Sequence, residues 1–279
     1  MEFEHYDSPR EALLIQTSNF KLSKWYMDCV SDAGDVFIGY VATVRWKAFS
    51  LNYSSILLQT RGEISTTHTS LRAVKVPEFS LPTIEWSSEP LRTNASWTAD
   101  CMPIERTIFD SDAGDVKWLC IAPIAEAEVN VAGKPFCTGL GYVEHLSMSI
   151  APWQLPIDEL RWGRYLSKHE HLTWIEWRGP NPLTFVFHNG KAVVGAEVCD
   201  DAIMFGDRRL TIVETDRRVL REGQLSRTTL AMIPGVRKLI PHRILDAHEI
   251  KWCSKGTMNH AGVMESKGWA IHEVVTWAR

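Results

Sequence analysis

The chain has 279 residues, 45% hydrophobic and 23% charged, enough for one large domain or two ordinary ones with a real core. A formal net charge of −4, with no segment in which Lys and Arg gather without interleaved acids, excludes the basic footprint of a nucleic-acid-binding protein. No run of about 18 uncharged apolar residues occurs and the N-terminus shows no basic-then-apolar leader, so the expectation is a cytoplasmic protein without an integral membrane segment.

Along the chain, "SPREALLIQ" predicts a short helix with Ser8 as N-cap and Pro9 in the first turn. Strand signals then dominate. "WYMDCV" and "VFIGYVATVRW" flank the hexapeptide Ser-Asp-Ala-Gly-Asp-Val at Ser31, and the same hexapeptide returns at Ser111 before "VKWLCIAP". Asp and Gly between apolar, β-branched runs predict hairpin turns; a calcium loop is excluded because neither copy carries the alternating oxygen ligands and closing Glu that such a loop needs. Between the copies, residues 75–103 show weak periodicity and read as packed loops holding Ile84, Trp86, Leu91 and Trp97. The Gly-rich "GKPFCTGLGY" predicts a domain boundary, giving units 1–139 and 140–279. "PIDELRWGRYL" has mixed periodicity, helix or strand. "FHNGKAV" predicts a type I′ hairpin, "GDRRLTIVETDRRVLREG" a hairpin with a solvated face, and "WAIHEVVTWA" a closing strand. The pattern is all-β and mostly antiparallel, with few short helices.

Six scattered cysteines form no Cys-x-x-Cys pair and read as free thiols, while twelve Trp are several-fold above ordinary usage and serve either a core or an apolar pocket. Unusual residues are densest in 139–177. On a strand, Tyr142 and Glu144 share one face and His145 takes the other. A carboxyl beside a phenol on a Trp-rich wall is desolvated, which favours its neutral form and suits it to donate a proton to an apolar substrate. The competing expectation is an ion pair of Glu144 with Arg161 or Arg164, with His145 as a hydrogen-bonded core residue. His169 and His171 would share a strand face, but no third metal ligand is identifiable, so a solvated pair is expected. "GLGYVE" is no dinucleotide fingerprint, and neither a phosphate loop nor a Gly-x-Ser-x-Gly elbow occurs.

The segments "KWYMDCVSDAGDVFIGYVA", "VKWLCIAPIAEAEVNVAGKPFCTGLGYVEHL", "LRWGRYLSKHEHLTWIEWRGPNPLTFVFHNGK" and "GWAIHEVVTW" together resemble the hydroxyneurosporene synthase (carotenoid 1,2-hydratase)-like group, itself similar to tocopherol cyclase and the lipocalin-like Diels–Alderases. The resemblance runs from about Leu22 onward in diffuse motifs. It implies two lipocalin-like antiparallel β-barrels packed together, a hydrophobic small-molecule substrate at the first barrel or between the two, and no metal or organic cofactor. It places Tyr142 and Glu144 at the aromatic and acid positions of the hydratases' Gly-x-x-aromatic-x-acid segment. The catalytic set is then Glu144, Tyr142 and His145, and the substrate-binding set Trp118, Trp153, Trp162, Arg164 and Tyr26. This chain departs from the hydratases in carrying Glu144 where they usually have Asp, and in lacking the His of their His-x-Trp pair beside Trp118. The expected function is a cofactor-independent enzyme that hydrates, isomerises or cyclises an isoprenoid or polyketide-like molecule; the alternatives are a non-catalytic lipocalin-type binder and a structural role.

Overall fold

The computed structural model describes residues 20–72, 74–212, 216–228 and 240–277, so the helix expected at Ser8 lies outside the described residues. The first half comprises β1 (Phe20–Ser31), β2 (Val36–Trp46), β3 (Phe49–Gln59), β4 (Thr66–Ser70), β5 (Glu78–Ser80), β6 (Thr83–Ser88), β7 (Thr93–Ala99), β8 (Ile104–Ser111), β9 (Gly114–Val131) and β10 (Lys134–Met148). The second comprises β11 (Glu159–Leu166), β12 (His171–Arg178), β13 (Leu183–His188), β14 (Lys191–Val193), β15 (Glu197–Val198), β16 (Ala202–Phe205), β17 (Arg208–Ile212), β18 (Arg218–Gln224), β19 (His248–His260) and β20 (Val263–Thr276). A 3-10 turn (Pro152–Gln154) and one helical turn, α1 (His242–Leu245), are the helical pieces among the described residues.

Each half is one antiparallel sheet, ordered β4-β3-β2-β1-β10-β9-β7-β6-β5 with β8 on β9, and β14-β13-β12-β11-β20-β19-β17-β16-β15 with β18 on β19. The two orders are the same when ten is added to each strand, so the fold is an internal duplication that the sequence does not announce. Both sheets curl. Phe37 on β2 and Trp97 on β7 stand four strands apart, about 19 Å on a flat sheet, yet their rings are 6.5 Å apart. His188 on β13 and Phe205 on β16, six strands apart in order, are 5.2 Å apart. The all-β, two-unit lipocalin-like architecture is therefore as expected.

Side-chain alternation gives each strand near the middle of a sheet two buried faces. One face fills its own barrel: Trp25, Met27, Phe37, Ile56, Trp86 and Trp97 in the first, Tyr165, Leu172, Trp174, Ile203 and Leu210 in the second. The other face meets the opposite sheet in a common core that includes Tyr26, Tyr40, Trp118, Tyr142, Trp162, Ile175 and Phe187. This back-to-back contact is the wall discussed below.

Both Ser-Asp-Ala-Gly-Asp-Val copies lie at hairpin turns, β1–β2 and β8–β9. They occupy non-equivalent places in the two-fold-repeated topology, so the hexapeptide is a turn device and not a trace of the duplication. Asn189 and Gly190 both have positive φ (48° and 75°), as a type I′ turn requires. Three expectations are corrected. Residues 75–103, expected as loops, hold β5, β6 and β7; their alternation is real, with Ile84, Trp86 and Ser88 buried, but short strands and prolines mask it. The stretch "GDRRLTIVETDRRVLREG" is no hairpin, since β17 and β18 each pair with β19, at Gly256–His260 and His248–Cys253 respectively. The boundary placed at 139/140 falls inside β10, whose glycines permit close strand approach and do not end the strand; the chain passes from one sheet to the other in residues 149–158.

Candidate active site

The wall is built around β1 and β10 of one sheet and β11 and β20 of the other. Tyr26 is in register with Glu144 and Asp28 with Tyr142. β9 sets Cys120 opposite Glu144 and Trp118 opposite Leu146. Across the wall, Trp162 is in register with Glu273 and Arg164 with Ile271 on β20, and Glu273 with Lys251 on β19.

Glu144 is only 8% exposed. Its Oε2 accepts three hydrogen bonds, from Trp118 Nε1 at 2.6 Å, the Tyr142 hydroxyl at 2.6 Å and Trp162 Nε1 at 3.2 Å. Two indoles from opposite sheets and a phenol thus hold one oxygen; among the described residues Oε1 accepts none. Burial pushes the carboxyl pKa up and outweighs the three donors and Lys24, which pull it down. Glu144 consequently keeps its proton at pH values where an exposed glutamate has lost it. With the Oε2 lone pairs taken, that proton belongs on Oε1. The donors serve the other half of the cycle, because a carboxylate left behind by proton transfer already has its charge-stabilising partners in place.

No ion pair forms between Glu144 and either arginine. Arg164 and Asp28, both fully buried, join the sheets through Nε–Oδ2 (3.1 Å) and Nη2–Oδ1 (2.8 Å). Arg164 Nη1 also donates to the Trp269 carbonyl (2.7 Å), and the Tyr26 hydroxyl donates to Asp28 Oδ2 (2.9 Å). Arg161 lies on the concave face of the second sheet, paired with Glu159 and Asp200. Lys251, buried and ion-paired with Glu273, sits 5.3 Å from the Tyr26 ring centroid and 5.1 Å from that of Trp162. Trp162 therefore presents its N–H edge to Glu144 and a face to a cation.

The duplication makes Glu144 and Glu273 counterparts. Each pairs with an aromatic residue of the central strand, Tyr26 or Trp162, and each follows by five positions a glycine pressed on that strand's backbone, Gly139 on Val30 and Gly268 on Leu166. Their neighbours on the next strand differ, Cys120 for one and Lys251 for the other. Burial opposes charge on Glu273 too, but Lys251 and Lys24 overcome it and hold that pKa low. One acid has its pKa raised and its counterpart has it lowered.

Of the expected set, Tyr142, Glu144, Trp118 and Trp162 converge on one oxygen, and Tyr26 packs against Trp162 at 4.8 Å. Arg164 is in the same wall, as a clamp on Asp28. His145 is not brought to Glu144: strand alternation turns it to the first barrel's interior, where Ser23 Oγ lies 2.8 Å from Nε2 and the Trp25 ring packs at a tilt, 4.7 Å between centroids. Burial lowers its pKa. This is the hydrogen-bonded core role of the competing expectation. Trp153 packs at the rim of the wall on Phe20 (5.8 Å) and Trp46 (4.8 Å). His169 and His171 do not share a strand face, because His169 lies exposed in the β11–β12 turn and His171 is buried at the start of β12. Asp28, Lys251 and Glu273 went unnoticed in the sequence. The available signal was a lone charged residue inside an apolar strand run, as in "WYMDCV" and "EIKWC".

This geometry and the repeated topology define a two-unit lipocalin-like protein with an aromatic-walled acid between its units. No family model and no curated protein matches the sequence. Among solved structures the chain is similar to CghA with Sch210972 (TM-score 0.57, 11% identity, 92% of this chain and 89% of that one). It is also similar to an AttH-type protein of Nitrosomonas europaea (0.56, 11%, 99% and 100%) and to kievitone hydratase from Nectria haematococca (0.50, 9%, 94% and 92%). At these identities the likeness is one of fold.

Proposed function

We propose that the protein is an enzyme acting on an apolar, unsaturated small molecule at the wall between its sheets, with Glu144 as proton donor. The observation that carries this is the three-donor cradle on Oε2: burial raises the acid's pKa, and the cradle receives the negative charge once the Oε1 proton has moved to a substrate carbon or oxygen. Hydration of an alkene, and isomerisation or cyclisation of an isoprenoid or polyketide-like compound through a carbocation, begin with such a transfer; a purely pericyclic cyclisation does not. The fold shared with kievitone hydratase supports the hydration member of that set.

A structural role, with the wall filled by its own side chains, is the second reading, and closure of the wall favours it, since Tyr142 and Trp118 are at most 1% exposed. Glu144→Gln separates the two. It keeps size and the ability to accept at one oxygen but removes the transferable proton, so turnover should fall at least about 100-fold with ligand affinity nearly unchanged. Turnover unaffected by the change in a folded variant would refute Glu144 as the acid.

A further inference from the structure

The two barrels share a topology but not a filling. The concave face of the second sheet contains a cavity of about 300 Å³, far from the Glu144 oxygen because it lies on the opposite side of β11, β19 and β20. Trp174, Ile203, Ile212 and Ile250 form its apolar side, and Arg161, Arg217 and His272, with the acids Asp200 and Glu273, its polar one. The two arginines are in different states. Arg161 is neutralised by Glu159 and Asp200, whereas Arg217 forms no ion pair among the described residues: it donates to the Asp200 carbonyl (3.2 Å), lies over the Trp252 ring (5.5 Å) and meets the Asp200 carboxylate only through space. Its Nε is buried and without a hydrogen-bond partner among them. A guanidinium with no carboxylate hydrogen-bonded to it, beside indole and isoleucine side chains, is an arrangement that an anionic ligand completes.

His272 adds directionality. Its ring stacks on Trp252 (5.1 Å between centroids) and Nε2 lies 3.0 Å from Ser254 Oγ, so it stands as a flat, neutral wall. The volume is at the low end for ligand pockets, which limits the occupant to one or two rings.

We infer that the second barrel is a separate ligand site for a small aromatic carboxylate, whose acid group meets Arg217 and whose ring lies against Trp174 and the three isoleucines. The inference is independent of the Glu144 reading, since it rests on none of the residues that hold the Glu144 carboxyl.

The test is calorimetric titration of the full chain with 2-naphthoate and with its neutral analogue 2-naphthalenemethanol. Naphthoate should bind 1:1, and Arg217→Gln should weaken it roughly tenfold or more, as expected for loss of a charged hydrogen bond, while the alcohol is unaffected. Glu144→Gln should leave naphthoate binding unchanged. A second measurement needs no variant. Cys199 lines the cavity and is exposed, so naphthoate should slow its alkylation by N-ethylmaleimide relative to Cys101, which lies in the other half. Absence of naphthoate binding, equal affinity in folded Arg217→Gln, loss of binding in Glu144→Gln, or unprotected Cys199 would each overturn the inference.

Discussion

Replacing Arg164 by Met tests whether the wall is held by a buried ion pair or merely contains one. Both partners are fully buried and make two direct contacts, at 2.8 and 3.1 Å. The variant strands the Asp28 carboxylate with the Tyr26 hydroxyl as its remaining side-chain donor, and leaves the Trp269 carbonyl without its guanidinium. An uncompensated buried charge costs about 3–5 kcal/mol. At roughly 2–4 °C per kcal/mol for chains approaching this size, thermal unfolding followed by circular dichroism should shift down by about 10 °C. The double variant Asp28→Leu/Arg164→Met has no charge to strand and should recover most of that loss, giving a coupling energy of about 2 kcal/mol or more in the cycle. If Arg164→Met costs less than about 1 kcal/mol, or if the double variant is simply the sum of the singles, water reaches the pair and the account of a dry wall fails.

Glu144 also carries a pH signature. A carboxyl with a raised folded pKa adds stability that is fully present below its usual value of 4.5 and is lost as pH rises through the folded value, so the melting-temperature gap between Glu144→Gln and the parent should move in favour of the variant between pH 4 and 8. A flat gap would mean that folding does not raise the Glu144 pKa. Gly139→Ala should destabilise by about 2–4 kcal/mol in denaturant titration, because an added Cβ would lie 2.2 Å from the Val30 carbonyl oxygen, which belongs to a paired backbone and cannot yield. Gly268→Ala, where the distance to the Leu166 oxygen is 2.0 Å, should behave alike; a loss below about 0.5 kcal/mol in either would show that the strands can separate there.

Local chemistry was legible in the sequence and long-range pairing was not. Period-two alternation gives away β1, β2 and β13, the Asp-Ala-Gly-Asp and Asn-Gly segments give their turns, and the two-residue step from Tyr142 to Glu144 puts both on one face. Nothing in the residues near Glu144 says that Trp118, 26 positions earlier, and Trp162, 18 later, aim their N–H groups at the same oxygen. Arg164 looked equally available to Glu144; what decides its partner is the register of β1 against β10, which puts Asp28 and not Glu144 before it. His145 fell to the reverse error, since closeness in sequence to an acid means opposite faces on a strand. The duplication is hidden because the counterparts Cys120 and Lys251, or Asp28 and Arg164, share position and not chemistry.

That last difference bears on what the halves can assemble with. Asp28 and Arg164 stand at corresponding places on their central strands, so the two walls share a topology and carry opposite charge at this one place. Two first halves brought together the same way would set Asp28 against Asp28, and two second halves Arg164 against Arg164, in a setting too dry to screen either repulsion. Each half is thereby built to reject a copy of itself and accept its covalent neighbour. A duplicated protein starts with interchangeable parts, and a charge reversal at its centre sets like halves at a disadvantage against the covalent pair.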